Sequence, residues 1–110
     1  MSEKKKKAPK LVSTMRVNEL GIVEYVLEDG YTLHRAGDKP AKIDPIGVIS
    51  YWENGQLHRK RGPAVINHDG SKSYYRNGEW LMSVRADGEI YVRDATGNMT
   101  ALGESYERTN

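Results

Sequence analysis

The chain has 110 residues, near the usual size of a single domain, with 37% apolar residues, no Phe and no Cys. The missing cysteine excludes disulfides, Cys-based zinc sites and a Cys nucleophile, and points to a reducing compartment, here the cytoplasm. The net charge of +2 hides a split: residues 1–16 hold six basic residues against one acidic, whereas residues 17–110 hold eleven against fourteen.

In chain order, residues 1–16 begin MSEKKKKAPK. This stretch is low in complexity, highly charged and interrupted by Pro9. It cannot bury enough apolar surface to offset its ordering entropy, so it reads as a disordered basic tail. Such an arm serves solubility, or else Lys4–Lys7 contact nucleic acid or an acidic surface at moderate salt. No apolar stretch follows the lysines, so a secretory signal is not expected, and no run approaches the roughly 20 apolar residues that span a bilayer.

Residues 17–110 read as one repeat domain, with copies over about 25–50, 51–74 and 75–95. Asn54-Gly55 recurs 23 positions later as Asn77-Gly78. Upstream, Gly30 with Leu33-His34-Arg35 parallels Gly55 with Leu57-His58-Arg59, with one residue extra. Pro40-Ala41 and Ile43 parallel Pro63-Ala64 and Ile66. Gly47 and Gly70 then follow, and Tyr51 and Tyr74 follow those glycines. The third copy opens at Tyr75-Arg76-Asn77-Gly78 and decays, as terminal repeats often do.

The repeat is a chain of hairpins. Asn-Gly and Asp-Gly tolerate positive φ at a tight turn. They separate β-prone runs: 46–52, 63–67, 72–76 and 84–85. Alternation places Val48, Ser50 and Trp52 on one face and Ile49 and Tyr51 on the other. Pro63 belongs at a strand start or an edge. No 3.6-residue period is sustained, and only residues 105–110 suggest a helical turn. The fold class is therefore mainly β: tandem antiparallel β-hairpins forming a meander sheet.

The string Leu57-His58-Arg59-Lys60-Arg61-Gly62-Pro63-Ala64, with Asn54-Gly55 before it and Asp69-Gly70, Tyr74-Tyr75 and Asn77-Gly78 after it, resembles the bacterial and phage variants of the MORN repeat. The resemblance covers about residues 25–92. It implies an elongated sheet of successive hairpins, and a role in scaffolding, dimerisation, lipid-headgroup contact or inhibition of another protein. Strings of this kind are common in tailed-phage proteins, which implies an accessory role in the host cytoplasm.

Three histidines, His34, His58 and His68, raise a metal site. Because His34 and His58 occupy equivalent positions a repeat apart, the expectation is structural: each hydrogen-bonds a neighbouring turn, and no metal or cofactor is held. Arg35 and Arg59 recur as well. They form an anion-binding strip, or they stack on Tyr51 or Trp52 and pair with acids across strands. Lys60 and Arg61 do not recur and sit in a loop, which makes them the better functional candidates. Among Tyr51, Trp52, Tyr74, Tyr75 and Trp80, one of each adjacent pair faces the core. That leaves Trp52, Tyr75 and Trp80 as an exposed row for a partner.

No P-loop, G-x-S-x-G, H-E-x-x-H or dinucleotide fingerprint is present, so no enzyme is expected. The expected function is binding, and possible inhibition, of a host protein through Trp52, Lys60, Arg61, Tyr75, Trp80, Arg35 and Arg59. The alternatives are nucleic-acid or nucleotide binding through the Lys4–Lys7 tail and the Arg/Lys strip, and a homo-oligomer joined at sheet edges.

Overall fold

The structure, a computed structural model, describes residues 11–103. Nine strands make one sheet: β1 (Thr14–Val17), β2 (Val23–Val26), β3 (Lys42–Ile43), β4 (Ile49–Ser50), β7 (Val65–Ile66), β8 (Lys72–Arg76), β9 (Glu79–Val84), β10 (Ile90–Arg93) and β11 (Met99–Gly103). They lie in that spatial order, each antiparallel to its neighbours. Between β4 and β7 the chain leaves the sheet to form a small separate hairpin, β5 (Trp52–Glu53) with β6 (Gln56–Leu57). Among the described residues no helix is long and apolar enough to cross a membrane.

Two kinds of turn build this pattern. Five turns of the main sheet span 18–21, 44–47, 67–70, 85–88 and 94–97. In each, the first residue's N–H donates to the carbonyl four positions on, and the closing glycine's N–H donates back to the first residue, all at 2.8–3.0 Å. These are type I turns closed by a left-handed glycine, a geometry that favours Asx at the first position and Pro at the second. Asp44 and Pro45 supply both, and Asp44 Oδ1 also accepts from the Ile46 N–H at 2.9 Å. The second kind is the two-residue turn at Asn54-Gly55 and Asn77-Gly78, where both residues have positive φ (52° and 82°, 49° and 83°). The expectation that Asn-Gly and Asp-Gly act alike is therefore corrected. Asp69 and Asp87 keep ordinary φ, and only the glycine after each turns left-handed. The two kinds of turn have different places: type I turns connect main-sheet strands, and Asn-Gly turns tip the second and third lateral hairpins, while the first closes over 27–32, where Leu27 N–H donates to the Thr32 carbonyl and Gly30 N–H to the Leu27 carbonyl, both at 2.9 Å.

The lateral hairpins are equivalent by register. Val26 opposes Leu33, Trp52 opposes Leu57, and Tyr75 opposes Trp80. In the third unit the lateral hairpin runs on without interruption from β8 and β9, with a bulge between Tyr74 and Tyr75. Successive hairpins stack through backbone groups. Gly55 N–H donates to the Leu33 carbonyl and Gly78 N–H to the Leu57 carbonyl, both at 2.8 Å. Arg35 N–H donates to the Trp52 carbonyl (3.1 Å) and Arg59 N–H to the Tyr75 carbonyl (3.2 Å).

The repeated Pro-Ala sits at the junction of sheet and hairpin. Ala41 N–H donates to Ser50 and its carbonyl accepts from Tyr25; Ala64 does the same with Ser73 and Tyr51. Both alanines are fully buried, and with Val26 they are the buried apolar residues among those described. A methyl group is what fits between backbones that close.

Two boundaries differ from the sequence reading. β1 begins at Thr14, so residues 14–16 belong to the sheet and not to the basic tail. The β1–β2 and β10–β11 hairpins extend the sheet beyond the repeats on both sides. Lys4–Lys7 and residues 105–110 lie outside the described residues.

Candidate functional site

The loops that follow the first two lateral hairpins, 35–40 and 59–63, rise side by side. Each is organised around an arginine. Arg35 lays its guanidinium over the Tyr25 ring, 3.7 Å from the centroid, and its Nη1 donates to the Pro40 carbonyl at 3.2 Å. Arg59 lies over Tyr51 at 3.8 Å, and its Nη1 donates to the Pro63 carbonyl at 3.2 Å. The chain folds this way because the tyrosine supplies a flat, electron-rich ring face and the prolyl carbonyl an acceptor that no ladder claims. Gly62 lets the guanidinium close over the loop: a Cβ there would meet the Arg59 Cζ at 3.1 Å.

Arg59 also bridges the two loops. Its Nε donates to Asp38 Oδ1 at 2.8 Å and its Nη2 to Asp38 Oδ2 at 3.4 Å. The hydrogen bond from Arg59 holds the Asp38 carboxyl below the usual carboxylate range, and the same bond pushes the Arg59 guanidinium up. Asp38 adopts φ 55°, a conformation that costs a non-glycine residue energy. The ion pair accompanies that strained loop.

Between the loops lies a cleft of about 360 Å³, lined by Arg35, Asp38, Lys39, Tyr51, Trp52, Glu53, His58, Arg59, Lys60 and Arg61. Five cationic side chains thus face two carboxylates. The Lys60 carbonyl accepts from Arg76 Nη2 at 3.0 Å, which ties the rim of the second loop to β8. Lys39, Lys60 and Arg61 are exposed and make no ion pair among the described residues.

The seven candidates from the sequence divide. Arg35, Trp52, Arg59, Lys60 and Arg61 come together in this cleft. Tyr75 and Trp80 face each other instead across β8 and β9. They line a separate apolar groove of about 540 Å³ with Ser73, Ser83, Arg85, Tyr91 and Met99. The expected exposed aromatic row is corrected on two counts. Trp52, Tyr75 and Trp80 are all half-buried, and Trp52 lines a different cavity from the other two. Packing of the indoles is fixed by serines: Trp52 Nε1 donates to Ser50 Oγ at 2.8 Å and Trp80 Nε1 to Ser83 Oγ at 2.7 Å. Of the two roles open to the arginines, the structure shows stacking: Arg59 lies on Tyr51 and pairs with Asp38, and Arg35 lies on Tyr25 in place of Tyr51 or Trp52.

His34 and His58 serve the backbone. His34 Nδ1 accepts from the Asn54 N–H and His58 Nδ1 from the Asn77 N–H, each at 2.9 Å. Among the described residues no three His, Cys, Asp or Glu side chains converge as a metal ion would require. Sequence reasoning missed Asp38 and Lys39 as site residues. The signal was their place as an insertion in an otherwise regular repeat. It also missed Tyr25 as the platform for Arg35. No family model matches this chain, and comparison with the curated proteins and with the solved structures found no match.

Proposed function

We propose that this chain is a non-catalytic binding protein of the MORN-like kind that engages a partner protein through the cleft between its first two side loops. The observation that carries the reading is the rim of that cleft. Lys39, Lys60 and Arg61 stand exposed around the half-buried Trp52, on loops cross-braced by Arg59–Asp38 and Arg76. A braced loop that presents uncommitted charge beside an aromatic side chain has the composition of a protein-binding hot spot. The setting, an accessory protein of a tailed phage acting on and inhibiting a host protein, is supported by the 57–64 string alone.

The test is affinity capture from bacterial lysate with the intact chain and with a Lys60→Ala/Arg61→Ala double variant, each with and without nuclease. The expected result is a protein that survives nuclease and is depleted about tenfold or more by the double variant. Recovery of nucleic acid alone, lost on nuclease treatment, overturns the reading. That outcome is the second reading, nucleic-acid binding, which the cationic surplus of the cleft favours. It would show as a steep fall of affinity with salt and with removal of Lys4–Lys7.

A further inference from the structure

The repeat provides an internal comparison. Arg35 and Arg59 occupy equivalent positions, with the same stacking on a tyrosine and the same Nη1 bond to a prolyl carbonyl. These anchors fix each guanidinium in the same attitude to its own unit. In the second unit the remaining edge, Nε and Nη2, holds both oxygens of a carboxylate, that of Asp38 from the preceding loop. In the first unit no equivalent loop precedes among the described residues. Among the described residues the Nε and Nη2 of Arg35 have no acceptor, although the side chain is half-buried and lines the cleft. No buried side-chain nitrogen lacks a partner among the described residues, so this free edge opens to solvent in the cleft, where a two-oxygen anion matches its fork best.

We infer that the Nε/Nη2 edge of Arg35 is a carboxylate seat for an acidic segment of the partner protein, filled in the complex as Asp38 fills the matching edge of Arg59. The inference rests on the binding-protein reading above and names the chemistry of the partner. Charge supports a peptide with several acids. Lys39 lies four residues beyond Arg35 on the same loop, and Lys60 and Arg61 line the facing loop, so further carboxylates along one strand find cations on both sides. The occupied seat beside it already shows a carboxylate held in this geometry.

The experiment titrates the intact chain with fluorescein-labelled hexaglutamate, with hexaglutamine and oligothymidylate as comparison probes. Binding is read by anisotropy, and the arginine Nε–Hε signals by NMR. Hexaglutamate is expected to bind and hexaglutamine not. The Nε–Hε signal of Arg35 should move on binding while that of Arg59, already paired, stays. Arg35→Gln, and Arg35→Lys because a lysine lacks the fork, should each lower affinity about tenfold or more. If either variant loses its β signature in circular dichroism, the NMR shift in the parent chain decides. A stationary Arg35 signal, parental affinity in a folded variant, or tighter binding of oligothymidylate than of hexaglutamate overturns the inference. Capture of a lysate protein at parental level by folded Arg35→Gln sinks the seat and leaves the binding reading standing. A parent chain that retains neither protein nor peptide sinks both.

Discussion

At the residue scale, His34 and His58 act as turn acceptors, the role their repeated position led us to expect. An Asn-Gly tip leaves the asparagine N–H pointing out of its own hairpin, and a ring nitrogen from the preceding unit receives it. His34 is buried, so His34→Leu strands the Asn54 N–H without water to replace the ring. A loss of about 1–3 kcal/mol in urea unfolding is expected. His58 is half-buried, and His58→Leu should cost less because solvent reaches the freed donor. A second residue-scale prediction concerns Asp94, whose carboxyl is drawn down to about 2 by the Thr96 hydroxyl first and then by the Asn98 N–H, with Thr100 also donating. Its folded value lies below the ordinary 3.8. The support it gives the 94–97 turn is therefore full above pH about 4 and is lost as pH falls towards 2. A carboxyl titration by NMR should place its midpoint near 2. Asp94→Asn should abolish the acid-dependent loss of amide protection in β10 and β11.

At the element scale, the two turn types explain how much was legible in advance. Strand β8 was bounded correctly because Asp69-Gly70 and Asn77-Gly78 both flank it. The β1–β2 and β10–β11 hairpins were not foreseen. Their turns, Asn18-Glu-Leu-Gly21 and Asp94-Ala-Thr-Gly97, keep the Asx and the glycine three positions apart and so lack the adjacent pair that draws attention. The lateral hairpins could not be separated from the main sheet because Asn-Gly and Asp-Gly look interchangeable in sequence and differ only in φ at the first residue. For the cleft, Arg59 over Tyr51 was among the readings weighed. Its bond to Asp38 joins residues 21 apart through a strained φ, which no local pattern announces. Gly55 tests the assignment. Its φ is 82° and a Cβ there would meet Thr32 Cγ2 only at ordinary contact, 3.4 Å, so the cost of a side chain is in the backbone. Gly55→Ala should cost about 1–2 kcal/mol and lower Tm by about 5–15 °C, with Gly55→Val worse. A Gly55→Val melting curve that matches the parent would contradict the turn.

At the scale of the whole molecule, the chain spreads over 56 × 42 × 26 Å with a radius of gyration of 17.0 Å, against about 13 Å for a compact chain of 100 residues. Among the described residues no large side chain is fully buried. Stability must come largely from ladder hydrogen bonds, stacked guanidiniums and half-buried aliphatic faces. Calorimetry should accordingly give a heat-capacity change of unfolding below the usual value of about 12–15 cal/mol/K per residue. Hydrogen exchange should find the slowest amides at Ala41, Ala64 and Asn54, where one unit closes on the next, and the fastest at β1, whose four residues are all exposed. The hand-over of hydrogen bonds also has a direction. The second and third lateral tips give their N–H groups backwards, to a leucyl carbonyl and an imidazole already laid down. In the third unit Trp80 and Leu81 stand where Leu57 and His58 stand in the second, so the next tip would find no ring nitrogen waiting. A leucine where both earlier units carry a histidine thus strips the third unit of the side-chain acceptor that seals the two junctions before it.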